Sequence, residues 1–390
     1  MGAWLLTAGL SRMASSMVLV AIVLHTLTRF GSAPLAGWTA VCAFAPGLIV
    51  SPLAGALLDR TGASRAIALD MALSFASLLG FVLADAAGYA SPPVLLAATA
   101  LWSITSPLST AGVRVLLPRL VPPDALPRAN AIDTVLFAAA EIVGPALAGA
   151  ISGLAGARIA LLTAAILSLG ACACAARMQR GETGARGRLL REAARGLGLV
   201  LRDRSLRGLA IAYSAYQAAW GVLLIALPVI VIRDLGPDSE GAIGAIWGLS
   251  GLADGLGALL AGKWRVSGRE RQIMAVCLLA TAAALWPIGA RFGVAGAAAS
   301  AVLTGFLAGP IDVGLLTLRQ RRASPAVLGR VLAVSMSLNL AGLPIGSALG
   351  GWLSAWPPLA FAAAALACVL AAGALWGLIP GESRLAAPEE

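Results

Sequence analysis

Charge is what this sequence has least of. Asp, Glu, Lys and Arg together make up 12% of its 390 residues, against roughly 25% in a soluble domain, whose water-facing surface needs them. Hydrophobic residues make up 59% and the mean hydropathy is +0.89. Such a chain cannot cover its outside with charge, so much of that outside faces lipid, and a water-soluble fold is excluded. Histidine occurs once, as His25, too little for a histidine cluster. The five cysteines (Cys42, Cys172, Cys174, Cys277 and Cys368) all sit in apolar stretches without metal spacing, so no disulfide, metal or other cofactor is expected. A zinc-protease motif, a Ser-His pair and a GxxxxGK[ST] phosphate loop are also missing. Those absences argue against an enzyme and against nucleotide-driven transport.

What the sequence has instead is long apolar runs. A membrane helix needs about 20 mostly apolar residues to cross a core roughly 30 Å thick. Stretches of that length lie near 4–28, 37–58, 66–84, 93–115, 127–152 and 157–176. A second series lies near 207–232, 241–262, 272–289, 295–318, 327–353 and 358–379. The 45 glycines and 21 prolines fall largely inside these runs, where neighbouring helices satisfy the freed backbone groups. The expected fold is an all-α polytopic membrane protein of about twelve transmembrane helices in two six-helix bundles. The first run is too long for a signal peptide and has no basic region before it, so it is read as the first span.

Between the two series, residues 177–206 are rich in arginine. The expected division is a six-helix bundle over 1–176, a cytoplasmic linker over 177–206, a second bundle over 207–380 and a tail over 381–390. With both termini cytoplasmic, only Arg29, Arg158, Arg233 and Arg291 face outward. Every other basic residue except Arg12, which lies in a span, falls on the inner side. That bias follows the positive-inside rule, and it makes the net charge of +10 a topological signal. A nucleic-acid partner is not expected. The halves also resemble each other: GALLDRTG (55–62) pairs with AGKWRVSG (261–268), and GPALAGAISG (144–153) with PIGSALGGWLS (344–354), as in transporters built by internal duplication.

The run GALLDRTGASR (55–65) resembles the signature loop between spans two and three of the major facilitator superfamily, with Gly55, Asp59, Arg60, Gly62 and Arg65 in its usual positions. LVPPDALPRANAIDTVLFAAAEIVGPALAGAI (120–151) resembles span five of the branch that includes macrolide efflux pumps and the enterobactin exporter, and PAVLGRVLAVSMSLNLAGLPIGSALGG (325–351) resembles span eleven. The resemblance implies that Asp59 meets the positive end of span eleven after Gly329 and helps hold the cytoplasmic side shut. A carboxylate at such a helix end is worth roughly 0.3–1 kcal/mol. The alternative is that Asp59, Arg60 and Arg65 only fix topology. In the family, a glycine-proline pattern in span five accompanies export. Gly144, Pro145 and Gly149 match it, while Ala140 and Ala150 stand where the family usually has glycine.

Charges inside spans are costly, so their placement is informative. Arg12, Asp133, Glu141, Asp254 and Asp312 lie in spans one, five, eight and ten, which the resemblance identifies as cavity-lining. Asn130, Asp133, Phe137 and Glu141, spaced 3, 4 and 4, share one helix face. Burial of a carboxylate favours its protonated form, which suits proton exchange near neutral pH. Arg12 reads as a counter-charge or a substrate anchor. The plainer alternative is that Asp133 or Glu141 pairs with Arg12 or Arg114 and ties helices together. Tyr213, Tyr216, Gln217 and Asn339 complete the cavity candidates, a mixture suited to an amphiphilic ligand.

The expected function is secondary active transport by alternating access: a proton-coupled exporter of a small amphiphilic compound such as a drug or siderophore. A metabolite uptake permease or a lysolipid translocator of the same fold is the alternative. The expected setting is a bacterial inner membrane, with a monomeric protein that meets its substrate, protons and membrane lipids.

Overall fold

The fold is taken from a computed structural model, which describes residues 2–178, 197–263, 269–322 and 338–379. Among these residues there is no strand. The major helices are α1 (Gly2–Phe30), α2 (Ala33–Thr61), α3 (Ala63–Ala86), α4 (Pro92–Leu120), α5 (Leu126–Ala155) and α6 (Ala157–Arg177). They continue as α7 (Arg204–Leu235), α8 (Glu240–Lys263), α9 (Glu270–Ala283), α10 (Gly293–Arg322), α11 (Gly342–Leu353) and α12 (Pro357–Leu378). Ten of them are long and apolar enough to cross a membrane; α9 and the described part of α11 are shorter. The start of the expected eleventh span, residues 327–337, lies outside the described residues.

The breaks between helices have local causes. Pro92 opens α4 and Pro357 opens α12, where a missing N–H costs nothing. Gly62, at φ +82°, ends α2 and starts α3, and Gly156, at φ +88°, does the same between α5 and α6. Side chains are strained in that left-handed region, so glycine turns the chain there at least cost. Beyond α9 the helix loosens into a π turn over Ala284–Ile288, with Trp286 at φ −138°, ψ 124°. Pro287 follows, and a proline pushes the residue before it out of helical geometry.

Two compact units divide the chain: residues 1–190 with 235–248, and 191–234 with 249–390. Thus α8 begins in the first unit and continues in the second. Most of the expected linker, residues 179–196, lies outside the described residues.

Each unit is packed through small residues. In the first, a side chain at Gly144 of α5 would run into Ser16 of α1, and one at Gly47 of α2 into the Ser103 carbonyl of α4. Gly149 and Gly153 of α5 lie against Gly244 and Gly241 of α8 in the same way. In the second unit, Gly342, Gly346 and Gly350 of α11 rest on the backbone of α7 at Ser214, Ala218 and Val222, and Gly305 of α10 rests on Ser250 of α8. The contact of α1 with α5 thus has its counterpart in α7 with α11, and that of α2 with α4 in α8 with α10. In lipid no hydrophobic force drives helices together, so association depends on such close backbone approach. Polar side chains join further helices of the first unit: Trp4 Nε1 of α1 donates to the Val113 carbonyl of α4 at 2.9 Å, and Asp70, fully buried in α3, accepts from the Ser109 N–H of α4 at 3.3 Å.

Candidate functional site

Helix α5 exposes two unlike faces. One is apolar, with Val135, Val143 and Leu147. The other presents Asn130, Thr134, Phe137 and Glu141, all exposed. The first suits lipid. The second carries a carboxylate and an amide, groups that hydrocarbon rejects.

The charges at the base of that face form a tight group in the first unit. Arg12 of α1 grips Asp133 twice: Nη1 donates to the Asp133 backbone carbonyl and Nη2 to its Oδ1, each at 2.7 Å. Arg114 of α4 places Nε 3.5 Å from Oδ2 of the same carboxylate. The Phe137 ring lies 5.5 Å from the Arg12 guanidinium carbon and 5.6 Å from that of Arg114. Asp133 is 5% exposed, and its charge is fully engaged. Its carboxylate is therefore built as an anchor joining three helices. Glu141 lies two turns further along α5, exposed; among the described residues it has no ion pair.

Next to it, Pro145 has no N–H to give the Glu141 carbonyl. Ser16 Oγ donates to the neighbouring Ala140 carbonyl at 2.8 Å, which ties α1 to α5 beside Gly144, where a side chain would run into Ser16.

The second unit has its own polar group. Tyr213 of α7 donates its hydroxyl to Asp312 Oδ1 of α10 at 2.6 Å. Tyr213, Tyr216 and Trp220 stack edge to face along α7, with centroids 5.5 Å and 6.5 Å apart, a favoured aromatic geometry. Asp312 is exposed, and Asp254 and Gln217 are half-buried. Among the described residues neither Asp254 nor Asp312 is in an ion pair. Asn339 accepts from Nη2 of Arg319 at 2.6 Å. Arg319, counted from sequence with the cytoplasmic connection, is 3% exposed and still within α10.

A third cluster was invisible in the sequence. His25 is not isolated: its Nε2 lies 3.7 Å from Asp85 Oδ2. Arg29 Nε reaches Asp85 Oδ1 at 3.1 Å, and Arg158 Nη1 reaches Oδ2 at 3.9 Å. Asp85 thereby links α1, α3 and α6 at the end opposite the GALLDRTG loop. The only signal for it was that Arg29, His25 and Arg158 fall near span ends on the same side.

Of the residues in that loop, Gly62 takes the turn, and Arg60 and Arg65 are exposed. The backbone of Gly55 and Asp59 is helical. The contact expected of Asp59 with the helix start after Gly329 falls outside the described residues. No group of His, Cys, Asp and Glu able to hold a metal occurs among the described residues.

A sequence profile of the Major Facilitator Superfamily matches residues 4–213 and 209–390. The chain is 46% identical over 350 residues to "Uncharacterized MFS-type transporter y4rN" of Sinorhizobium fredii, covering 89% of this chain and 86% of that one. Its fold is similar to a mutant form of the nucleoside transporter NupG, with a TM-score of 0.79, 12% identity and coverage of 97% and 99%. It is also similar to the inward-open xylose transporter XylE from E. coli, with a TM-score of 0.71, 13% identity and coverage of 96% and 95%.

Proposed function

The chain belongs to the Major Facilitator Superfamily and is a secondary transporter, and from that premise we propose that it is a proton-coupled exporter of a small amphiphilic compound. The observation that carries the coupling is Asp312. It lies inside a helix fit to span a membrane, is exposed, and is held by a tyrosine hydroxyl at 2.6 Å with no cation in ion-pair distance among the described residues. A carboxylate held by a donor, and not by a fixed positive charge, is free to gain and lose a proton as access alternates. Glu141 and Asp254 share that freedom. Asp133 does not, since two guanidiniums hold its charge; its part is to set the α1–α4–α5 geometry around the pathway.

The amphiphilic character of the cargo is supported by the aromatic ladder Tyr213, Tyr216 and Trp220 beside a few polar groups, the composition of a small-molecule pocket. Export is supported by the likeness of Gly144, Pro145 and Gly149 to the exporter pattern. The proposed setting is a bacterial inner membrane with both termini cytoplasmic.

The test is reconstitution in liposomes with an internal pH dye, adding candidate drugs and siderophore-like compounds to the wild type, Asp312→Asn, Glu141→Gln and Asp133→Asn. Substrate-driven proton efflux that Asp312→Asn abolishes is the expected result. Substrate movement with no proton movement in the wild type rules out coupling, and movement of substrate and proton in the same direction rules out antiport.

A further inference from the structure

The trio Arg12, Arg114 and Asp133 holds two guanidiniums and one carboxylate, and the carboxylate is largely spent on Arg12. Both Oδ1 and the backbone carbonyl of Asp133 accept from Arg12 at 2.7 Å, whereas Arg114 has only a 3.5 Å approach through Nε. Among the described residues this is the one carboxylate contact of Arg114, and its two Nη groups carry no hydrogen bond to another described residue. One positive charge of the trio is therefore left over, near the end of the span formed by α4, with donors still open to an anion.

That charge is also reachable. The Arg114 side chain is 45% exposed, and Phe137, whose ring centroid is 5.6 Å from the Arg114 guanidinium carbon, is 37% exposed. The other carboxylate on this face, Glu141, lies about 12 Å further along the helix axis than Asp133. Arginine presents a planar fork that matches a carboxylate, and a phenyl ring beside it offers an apolar face to a flat body.

We propose that Arg114 and Phe137 form a subsite for an aromatic carboxylate, the Arg114 fork taking the anion and Phe137 packing on the ring. The subsite names the chemistry of the cargo, and so rests on the transport reading, but it can be tested without transport. Arg12 and Asp133 act as positioning residues, since they hold the trio together and leave Arg114 its open donors.

The probe is 1-naphthoate, with 1-naphthalenemethanol and 1-naphthylmethylamine as neutral and cationic matches, titrated by calorimetry into the full chain in detergent. The expected result is that naphthoate binds and the other two bind at least tenfold more weakly. Arg114→Gln should weaken naphthoate tenfold or more, Arg114→Lys should restore part of the affinity, and Phe137→Leu should weaken it without altering the preference for the anion. Thermal unfolding of each variant confirms that the fold is kept. If Arg114→Gln is unstable, the comparison of Arg114→Lys and Phe137→Leu with wild type decides the matter. Equal binding of the three probes, no binding of naphthoate, or naphthoate binding unaltered in the Arg114 and Phe137 variants would overturn the proposal. Intact naphthoate binding alongside a failed liposome assay would remove the export reading and leave the subsite.

Discussion

Asp133 and Asp312 are the same side chain put to different uses. The first is 5% exposed and paired with Arg12; the second is exposed and touches a hydroxyl. Removing one partner of a buried pair strands the other charge, which costs about 3–5 kcal/mol. Asp133→Ala should therefore lower the thermal unfolding temperature in detergent markedly, and Arg12→Met with Asp133→Leu together should lower it less than Asp133→Ala alone. Asp312→Asn keeps an acceptor for Tyr213, so its unfolding temperature should stay near wild type while proton movement is lost. An unfolding temperature that falls as far in Asp312→Asn as in Asp133→Ala would make Asp312 structural.

At the scale of the helix, glycine placement governs how close two backbones come. A Cβ at Gly346 would meet the Ala218 carbonyl of α7, backbone that cannot yield like a flexible side chain. Gly346→Val should cost roughly 1–3 kcal/mol by overpacking and reduce the yield of folded protein by size-exclusion profile. Gly255 in α8 has nothing within 4 Å of such a Cβ, so Gly255→Ala should leave that profile unaltered. Helix boundaries also explain what the sequence hid. Arg319, Asp85 and Arg114 all sit where an apolar run fades and the helix continues: α10 runs to Arg322, α3 to Ala86 and α4 to Leu120. Hydropathy marks where lipid begins, whereas hydrogen bonding decides where a helix stops. Arg114 and Arg319 were therefore counted with the cytoplasmic connections, although Arg319 is buried, and Asp85 drew no notice. By contrast, the alignment of Asn130, Asp133, Phe137 and Glu141 on one face was legible, because spacing alone fixes it. Their division into an anchored carboxylate and an unanchored one was not, since that depends on arginines from α1 and α4.

For the whole molecule, composition was sufficient to exclude a soluble fold, and of the repeated span-five and span-eleven motifs, Gly144 packs on α1 while Gly346 and Gly350 pack on α7. The proposed topology, with both ends cytoplasmic, rests on the arginine bias. With the five native cysteines replaced, a cysteine at position 60 should react with an impermeant maleimide only after the inner side of the membrane is opened, and one at position 158 should react in intact cells. The reverse pattern would invert the proposed topology and, with it, the direction assigned to transport.

The leftover positive charge at Arg114 has an electrical consequence. Carrying one elementary charge across a potential of 100 mV is worth about 2.3 kcal/mol. In the proposed cycle, with the pathway open to the cytoplasm or to the outside, the empty trio senses the potential of whichever compartment it faces. A negative interior therefore favours the empty carrier facing in, ready to collect cargo. Once an anion is seated the trio is neutral, and it adds nothing to the voltage dependence of the outward swing. Through this trio, the battery of the membrane would act on the reset between cycles and not on the loaded step.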